Sequence, residues 1–195
     1  MQAGMRGETA VLIEHGFVKI SMPTAGGREA LLSVRVSGDL VGEVAVLNDQ
    51  PRSASATACC PGLVRVITKD RLRDFLGSHP DAAMQLTGMV ADRLRWANER
   101  RVDAVSRTVE QRLARVLTEM ASAYGMRTSA GVEIAIDLTQ DEISTLISVS
   151  EVTAHRALKA LRDLELIKTG YRRIIVADIK VLRSFAHRHE VESCG

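Results

Sequence analysis

The sequence predicts an α+β fold in three parts: an antiparallel roll of short strands, one long helix, and a set of short helices closed by a two-stranded wing. Three observations predict it. Residues 9–68 alternate short β-rich runs with turn signals, residues 80–107 hold one continuous helical pattern, and residues 138–178 join two capped helices to a hairpin pattern. The expected domains are a roll over 1–79, a helix over 80–107 and a terminal domain over 108–195.

The strand runs are TAVLIEHG (9–16), FVKISM (17–22), EALLSVRV (29–36), VGEVAVL (41–47), SASATACC (53–60) and LVRVIT (63–68). Each is short and rich in Val, Ile and Thr, which suit a pleated, half-buried surface. PTAGG (23–27) and SGD (37–39) supply turns, with glycine free to take positive φ. Strands at this even spacing close into a small antiparallel roll or barrel.

From residue 69 the pattern becomes helical. TKDRLRDFLG reads as a short helix with Thr68 or Asp70 as its cap. After Pro80, the residues Leu86, Val90, Leu94 and Ala97 fall on one helical face beside Arg93, Asn98 and Arg101. A helix of about 26 residues spans about 40 Å, longer than a small roll covers, so part of its stripe is expected to meet a second chain. A break near Thr108 precedes VEQRLARVLTEMASAYG, ended by Gly125. MRTSAGVEIAID then reads as a loop and a short strand.

The segment from Leu138 to Ile167 is the most specific in the chain. Thr139 and Glu142 have capping-box spacing, and Ile143, Leu146 and Ile147 form the apolar face of the helix they start. Ser148 and Val149 make a tight connection to Ser150, the cap of a second helix with Thr153, Ala154, Ala157, Leu158 and Leu161. Two helices so joined, with small residues where they cross, make a helix-turn-helix, and LIKTGYRRIIVAD adds the wing with a turn at Gly170. Between Arg156 and Arg173 stand six basic residues (Arg156, Lys159, Arg162, Lys168, Arg172, Arg173) against Asp163 and Glu165. That imbalance suits the phosphates of duplex DNA. The first turns of the second helix offer Ser150, Glu151, Thr153, His155 and Arg156, and Arg156 is placed to read guanine in a major groove. The competing reading is a helical hairpin with a solvated basic face.

Composition narrows the rest. The net charge of +2 means that any nucleic-acid surface must be local, and an aromatic share of 3% argues against stacking on single strands. No apolar run is long enough for a membrane span or a secretion signal, so a cytoplasmic protein is expected. Cys59, Cys60 and Cys194 provide neither a disulfide framework nor the four thiolates of an iron–sulphur cluster. His187 and His189 read as a solvated helix end rather than a metal site, and nothing singles out His15 or His79 as a haem ligand. No nucleophile–base set and no Walker or Rossmann loop is present, so neither an enzyme nor a metal is expected.

With these residues in view, the chain resembles the CRP/FNR family of bacterial transcription regulators, to which the cyclic-AMP receptor protein belongs. The resemblance runs from residue 8 to 187 in one order, with the sequence starting near what would be the third strand of the family's roll. It implies a homodimer through 80–107, a recognition helix from Ser150 to about Leu164, a pseudopalindromic duplex as target and RNA polymerase as partner. Arg156 matches the family's guanine-reading arginine. Thr139, Lys159 and Arg172 join the DNA-contacting set. Glu151 and Val152 depart from the usual Arg-Glu pair before Thr153, and Ser148 replaces a common turn glycine, so the operator is expected to differ from the TGTGA half-site.

The resemblance also gives a role to two residues that a plain hairpin would not need. The family's phosphate-binding cassette matches Gly42, Glu43, Val44 and Ala45, then Pro51, Arg52, Ser53 and Ala54. It implies that Arg52 pairs with a cyclic phosphate, Ser53 adds a hydroxyl and Glu43 accepts the ribose 2′-hydroxyl. Asn98 would face the purine, or else fix dimer register, and Ala97 replaces a threonine often found there. Cyclic AMP or a related nucleotide is the implied effector. The alternative for Glu43 and Arg52 is a structural ion pair across a hairpin. Three functions stay open: a ligand-gated DNA-binding regulator, a regulator whose roll is vestigial or takes another ligand, and a nucleotide sensor that does not bind DNA.

Overall fold

The computed structural model of the chain describes residues 1–134, 136–170 and 173–187. Its contacts divide it into two compact units, Met1–Arg101 and the chain from Val102 onward.

The first unit holds β1 (Thr9–His15), β2 (Val18–Pro23), β3 (Glu29–Arg35), β4 (Leu40–Val41), α1 (Glu43–Asn48), β5 (Ser55–Ala58), β6 (Leu63–Thr68), α2 (Lys69–Ser78) and most of α3 (Pro80–Ser106). Two antiparallel three-stranded sheets form, in the orders β4-β1-β6 and β3-β2-β5. Ala10 and Ile13 of β1 are both buried, and Ala10 joins Val46 and Leu72 in a buried cluster flanked by Leu40, Ile67 and Leu76. Thr68 takes the N-cap position of α2, but its hydroxyl makes no capping bond. The segment ahead of β1 lies along the chain near β5. Gly4 donates to the Arg52 carbonyl, and Arg52 N–H donates to the Met5 carbonyl.

One expectation fails here. VGEVAVL was expected to be a strand, but only Leu40–Val41 is, and α1 follows at once. Gly42 is the cause: at φ 82 it turns the chain out of the sheet. A Cβ at that position would sit 2.3 Å from Arg52 Nη1 and 3.2 Å from the Thr9 carbonyl, so the site also needs glycine for space. The helix then buries Ala45 and Val46 against the roll. Its end is tied to α2, where Asp49 bonds Lys69 and Arg73. Those two bonds hold the Asp49 carboxyl down at about 2.

The second unit holds the end of α3, α4 (Val109–Tyr124), β7 (Met126–Thr128), β8 (Gly131–Ile134), α5 (Gln140–Leu146), α6 (Glu151–Asp163), β9 (Ile167–Gly170), β10 (Arg173–Val176) and α7 (Ile179–Ala186). Asp103 ties the last turn of α3 to this unit, because its buried carboxylate takes Arg107 at 2.7 Å and Arg115 at 2.8 Å. Thr108 and Gln111 form a capping box on α4. Gly125 ends that helix at φ −70, so positive φ is not its reason. A Cβ there would meet Val132 at 2.3 Å and the Ala121 carbonyl at 2.4 Å. MRTSAGVEI gives a hairpin of two strands, one more than expected, and the sheet order is β7-β8-β10-β9. Leu113, Leu117, Ile143, Leu146, Ala154, Ala157, Leu161 and Leu182 form the core of this unit.

Candidate functional site

In the first unit, a cavity of about 260 Å³ opens between α1, the β2–β3–β5 sheet and α3. Gly42, Glu43, Val44, Ala45, Arg52 and Ser53 all line it, so the fold brings together six of the seven expected ligand residues. Asn98 is not among the lining residues and is exposed, whereas Trp96 and Ala97 of the same helical turn do line the cavity.

Glu43 and Arg52 are not each other's partners. Arg52 Nη2 donates to the Thr9 carbonyl at 2.7 Å and to its hydroxyl at 3.2 Å. Nη1 of the same guanidinium is buried with no hydrogen-bond partner among the described residues. Glu43, almost wholly buried, takes Arg93 Nη1 at 2.6 Å. Arg93 Nη2 reaches Asp39 at 3.1 Å and the Leu40 carbonyl at 2.9 Å. Arg93 was read from the sequence only as a neighbour on the helix face. Its partners lie 50 and 54 residues away, beyond any local pattern.

Arg35, at the end of β3, also lines the cavity. Burial, then the nearby Arg93, lowers its pKa, while Asp39 and Glu43 act the other way. Arg35 and Arg93 are balanced in charge by Asp39 and Glu43, which leaves Arg52 as the uncompensated cation. A buried guanidinium with one idle nitrogen is costly when the site is empty and strongly attractive to an anion. The arrangement suits a monoanion. Trp96, the chain's one tryptophan, stands at the wall with Arg100 4.4 Å over its ring.

In the second unit, the expected helix-turn-helix is present. The Thr139 hydroxyl accepts from Glu142 N–H at 3.1 Å, and the Glu142 carboxylate accepts from Thr139 N–H at 2.8 Å, closing the capping box on α5. Arg112 on α4 donates to the Ile147 carbonyl at 2.8 Å and so fixes the end of α5. Ser148 makes the turn at φ 56, a left-handed conformation that costs a non-glycine residue about 1–2 kcal/mol. Ser150 then caps α6 by accepting from Thr153 N–H at 3.3 Å. Ala154 and Ala157 are fully buried where the helices cross.

Ser150, Glu151, His155, Arg156 and Lys159 are exposed along one side of α6, and Thr153 is half-buried with its hydroxyl 2.9 Å from that of Ser150. The Arg156 side chain makes no hydrogen bond or ion pair among the described residues, so its five donors are available. Lys159 pairs with Asp163 at 2.7 Å, an exposed i,i+4 contact too weak to withhold it from a phosphate. β9 and β10 pair antiparallel as the wing. Arg172, His189 and Cys194 lie outside the described residues.

Comparison with known proteins agrees with both halves. The family described as "Cyclic nucleotide-binding domain" matches residues 1–79, and "Crp-like helix-turn-helix domain" matches residues 111–185. The CRP-like cAMP-activated global transcriptional regulator of Mycobacterium tuberculosis H37Rv is 30% identical over 177 residues, 90% of this chain and 78% of that protein. The cAMP-activated global transcriptional regulator CRP of Escherichia coli O6:H1 is 30% identical over 175 residues, covering 89% and 82%. Among solved structures, a CRP-family transcriptional regulator from Thermus thermophilus matches with a TM-score of 0.78 at 21% identity, over 96% of this chain and 92% of that one. FixK2 from Bradyrhizobium japonicum also gives 0.78, at 22% identity, over 94% and 90%. The chain belongs to the CRP/FNR family and is a DNA-binding transcription regulator with a cyclic nucleotide-binding-type roll ahead of a Crp-like helix-turn-helix domain.

Proposed function

We propose that the protein acts as a homodimer whose affinity for a pseudopalindromic DNA site is set by a cyclic nucleotide in the roll. The observation that carries the ligand half is the buried, unpartnered Arg52 Nη1. A cyclic phosphate bears one negative charge to pair with this cation, and Gly42 leaves room for the Arg52 nitrogen that would meet it. Glu43, held by Arg93, accepts the ribose 2′-hydroxyl, and Ser53 adds a donor at the phosphate. The cAMP-activated relatives support a cyclic purine nucleotide as effector.

The dimer reading rests on α3. Met84, Leu94, Val102 and Val105 are exposed along it, and a helix leaves such a stripe bare only where another surface covers it. Asn98 lies one residue beyond the cavity-lining Ala97, about 100° further round the helix. It therefore faces the partner, either as a register-fixing polar residue or as a contact to the partner's ligand. Binding of the nucleotide shifts the dimer toward its DNA-binding state, which requires tighter binding to that state. RNA polymerase is the further partner expected of such a regulator.

Titration with cyclic AMP and cyclic GMP, followed by calorimetry and Trp96 fluorescence, tests the ligand reading. Saturable binding supports it, and no binding of either by a folded dimer favours a vestigial roll. The DNA half is tested by selecting sites from random duplex DNA. The expected site differs from TGTGA, since Glu151 and Val152 stand at the head of α6. Arg156→Ala should weaken the selected site by about 5- to 150-fold and relax one base pair. An equal loss on selected and random DNA would show that Arg156 only touches phosphate.

A further inference from the structure

We propose that Arg35 reads the base of the bound nucleotide, and that the pocket prefers a purine presenting acceptors, guanine or hypoxanthine, over adenine. This deepens the nucleotide reading above and rests on it.

Three arginines line the cavity. Arg52 is committed to Thr9 and to the phosphate. Arg93 is committed to Glu43, Asp39 and Leu40. The Arg35 guanidinium has no hydrogen-bond or ion-pair partner among the described residues, although it is half-buried in the cavity wall. Its chain neighbour Val36 donates its backbone N–H to Asp39 Oδ2 at 2.9 Å, and the other Asp39 oxygen takes Arg93, which in turn holds Glu43. Arg35 therefore stands beside the Asp39–Arg93–Glu43 group, and the charges that shift its pKa are those of the same three residues. A nucleotide with its phosphate at Arg52 and its ribose at Glu43 carries its base beyond the ribose, toward Arg35 and the α3 turn at Trp96.

The chemistry of that end discriminates between bases. A guanidinium has only donors, in a fixed planar fork. Guanine and hypoxanthine offer two adjacent acceptors, O6 and N7, which match the fork. Adenine puts an amino donor beside N7, so one arm of the fork would face a donor. Charge points the same way. Asp39 and Glu43 already balance Arg35 and Arg93, so the far end of the pocket calls for a neutral acceptor rather than a second anion. The volume of about 260 Å³ lies just below the usual range for ligand pockets, about 300–1,000 Å³, and leaves room for no more than one mononucleotide.

The test measures dissociation constants of the full-length wild type and Arg35→Met for cyclic GMP, cyclic IMP and cyclic AMP, by calorimetry with Trp96 fluorescence as a second readout. Cyclic IMP carries O6 and N7 without the guanine 2-amino group. The expected result is wild-type binding of cyclic GMP and cyclic IMP about tenfold or more tighter than cyclic AMP. Arg35→Met should remove that preference, lowering cyclic GMP and cyclic IMP affinity about tenfold more than cyclic AMP affinity, a difference that a folding defect would not produce. Equal or tighter binding of cyclic AMP by the wild type, or an unchanged preference in Arg35→Met, overturns the role of Arg35 and leaves the nucleotide pocket standing. No binding of any of the three by the folded wild type overturns both.

Discussion

Arg52→Met is expected to abolish nucleotide binding, by about 100-fold or more, while leaving the protein folded. Arg52 supplies the one unbalanced charge in the cavity and an idle buried donor, Nη1. Each charge-assisted bond from it to a phosphate contributes about 1.5–3 kcal/mol, and loss of two gives the expected factor. Stability should change little. The bonds from Nη2 to Thr9 are lost, but so is the cost of holding an unsatisfied cation in a buried place. The rise in melting temperature on adding nucleotide reports the loss of binding, and the melting temperature without nucleotide reports stability. Wild type should gain thermal stability with ligand and the variant should gain none. A variant that still binds within a few fold would place the phosphate elsewhere.

Arg93→Met should destabilise the first unit strongly, by about 3–5 kcal/mol, because it leaves the buried Glu43 carboxylate without its cation. Asp39 loses the same partner. The double variant Glu43→Leu with Arg93→Met should recover much of that loss, since neither charge then remains unpaired at that contact. Urea unfolding of the two single variants, the double variant and wild type completes the cycle. A loss below about 1 kcal/mol in Arg93→Met would mean that water, rather than Arg93, satisfies Glu43.

The helix-turn-helix could be read from the sequence because its signals are local. Thr139 with Glu142, and Ser150 ahead of Thr153, are capping patterns within one turn, and the structure places each at a helix start. The long helix was equally plain, with its start at Pro80 and its end just before Thr108. α1 was not readable. Six apolar-rich residues after Gly42 fit a strand as well as a helix, and the choice was made by Gly42 at φ 82 and by packing on Ala10 and Leu72, which come from distant parts of the chain. The pocket was half-readable for the same reason. The Gly42-to-Ser53 cassette lies in one stretch, but Arg93 and Arg35 enter from a helix and a strand where nothing local marks them. Asn98 shows the limit of helical spacing: it fixed the turn, yet Ala97 rather than Asn98 turns into the cavity.

Nucleotide in the roll is proposed to control the grip on DNA. The direct measurement is the affinity of the wild-type dimer for its selected operator duplex, at one fixed salt concentration, with and without saturating cyclic nucleotide. An increase of about tenfold or more is expected in wild type, within the usual range of allosteric coupling, and none in Arg52→Met. Equal operator affinity with and without nucleotide, in a wild type shown to bind it, would overturn nucleotide control and leave the roll and the DNA-binding domain uncoupled.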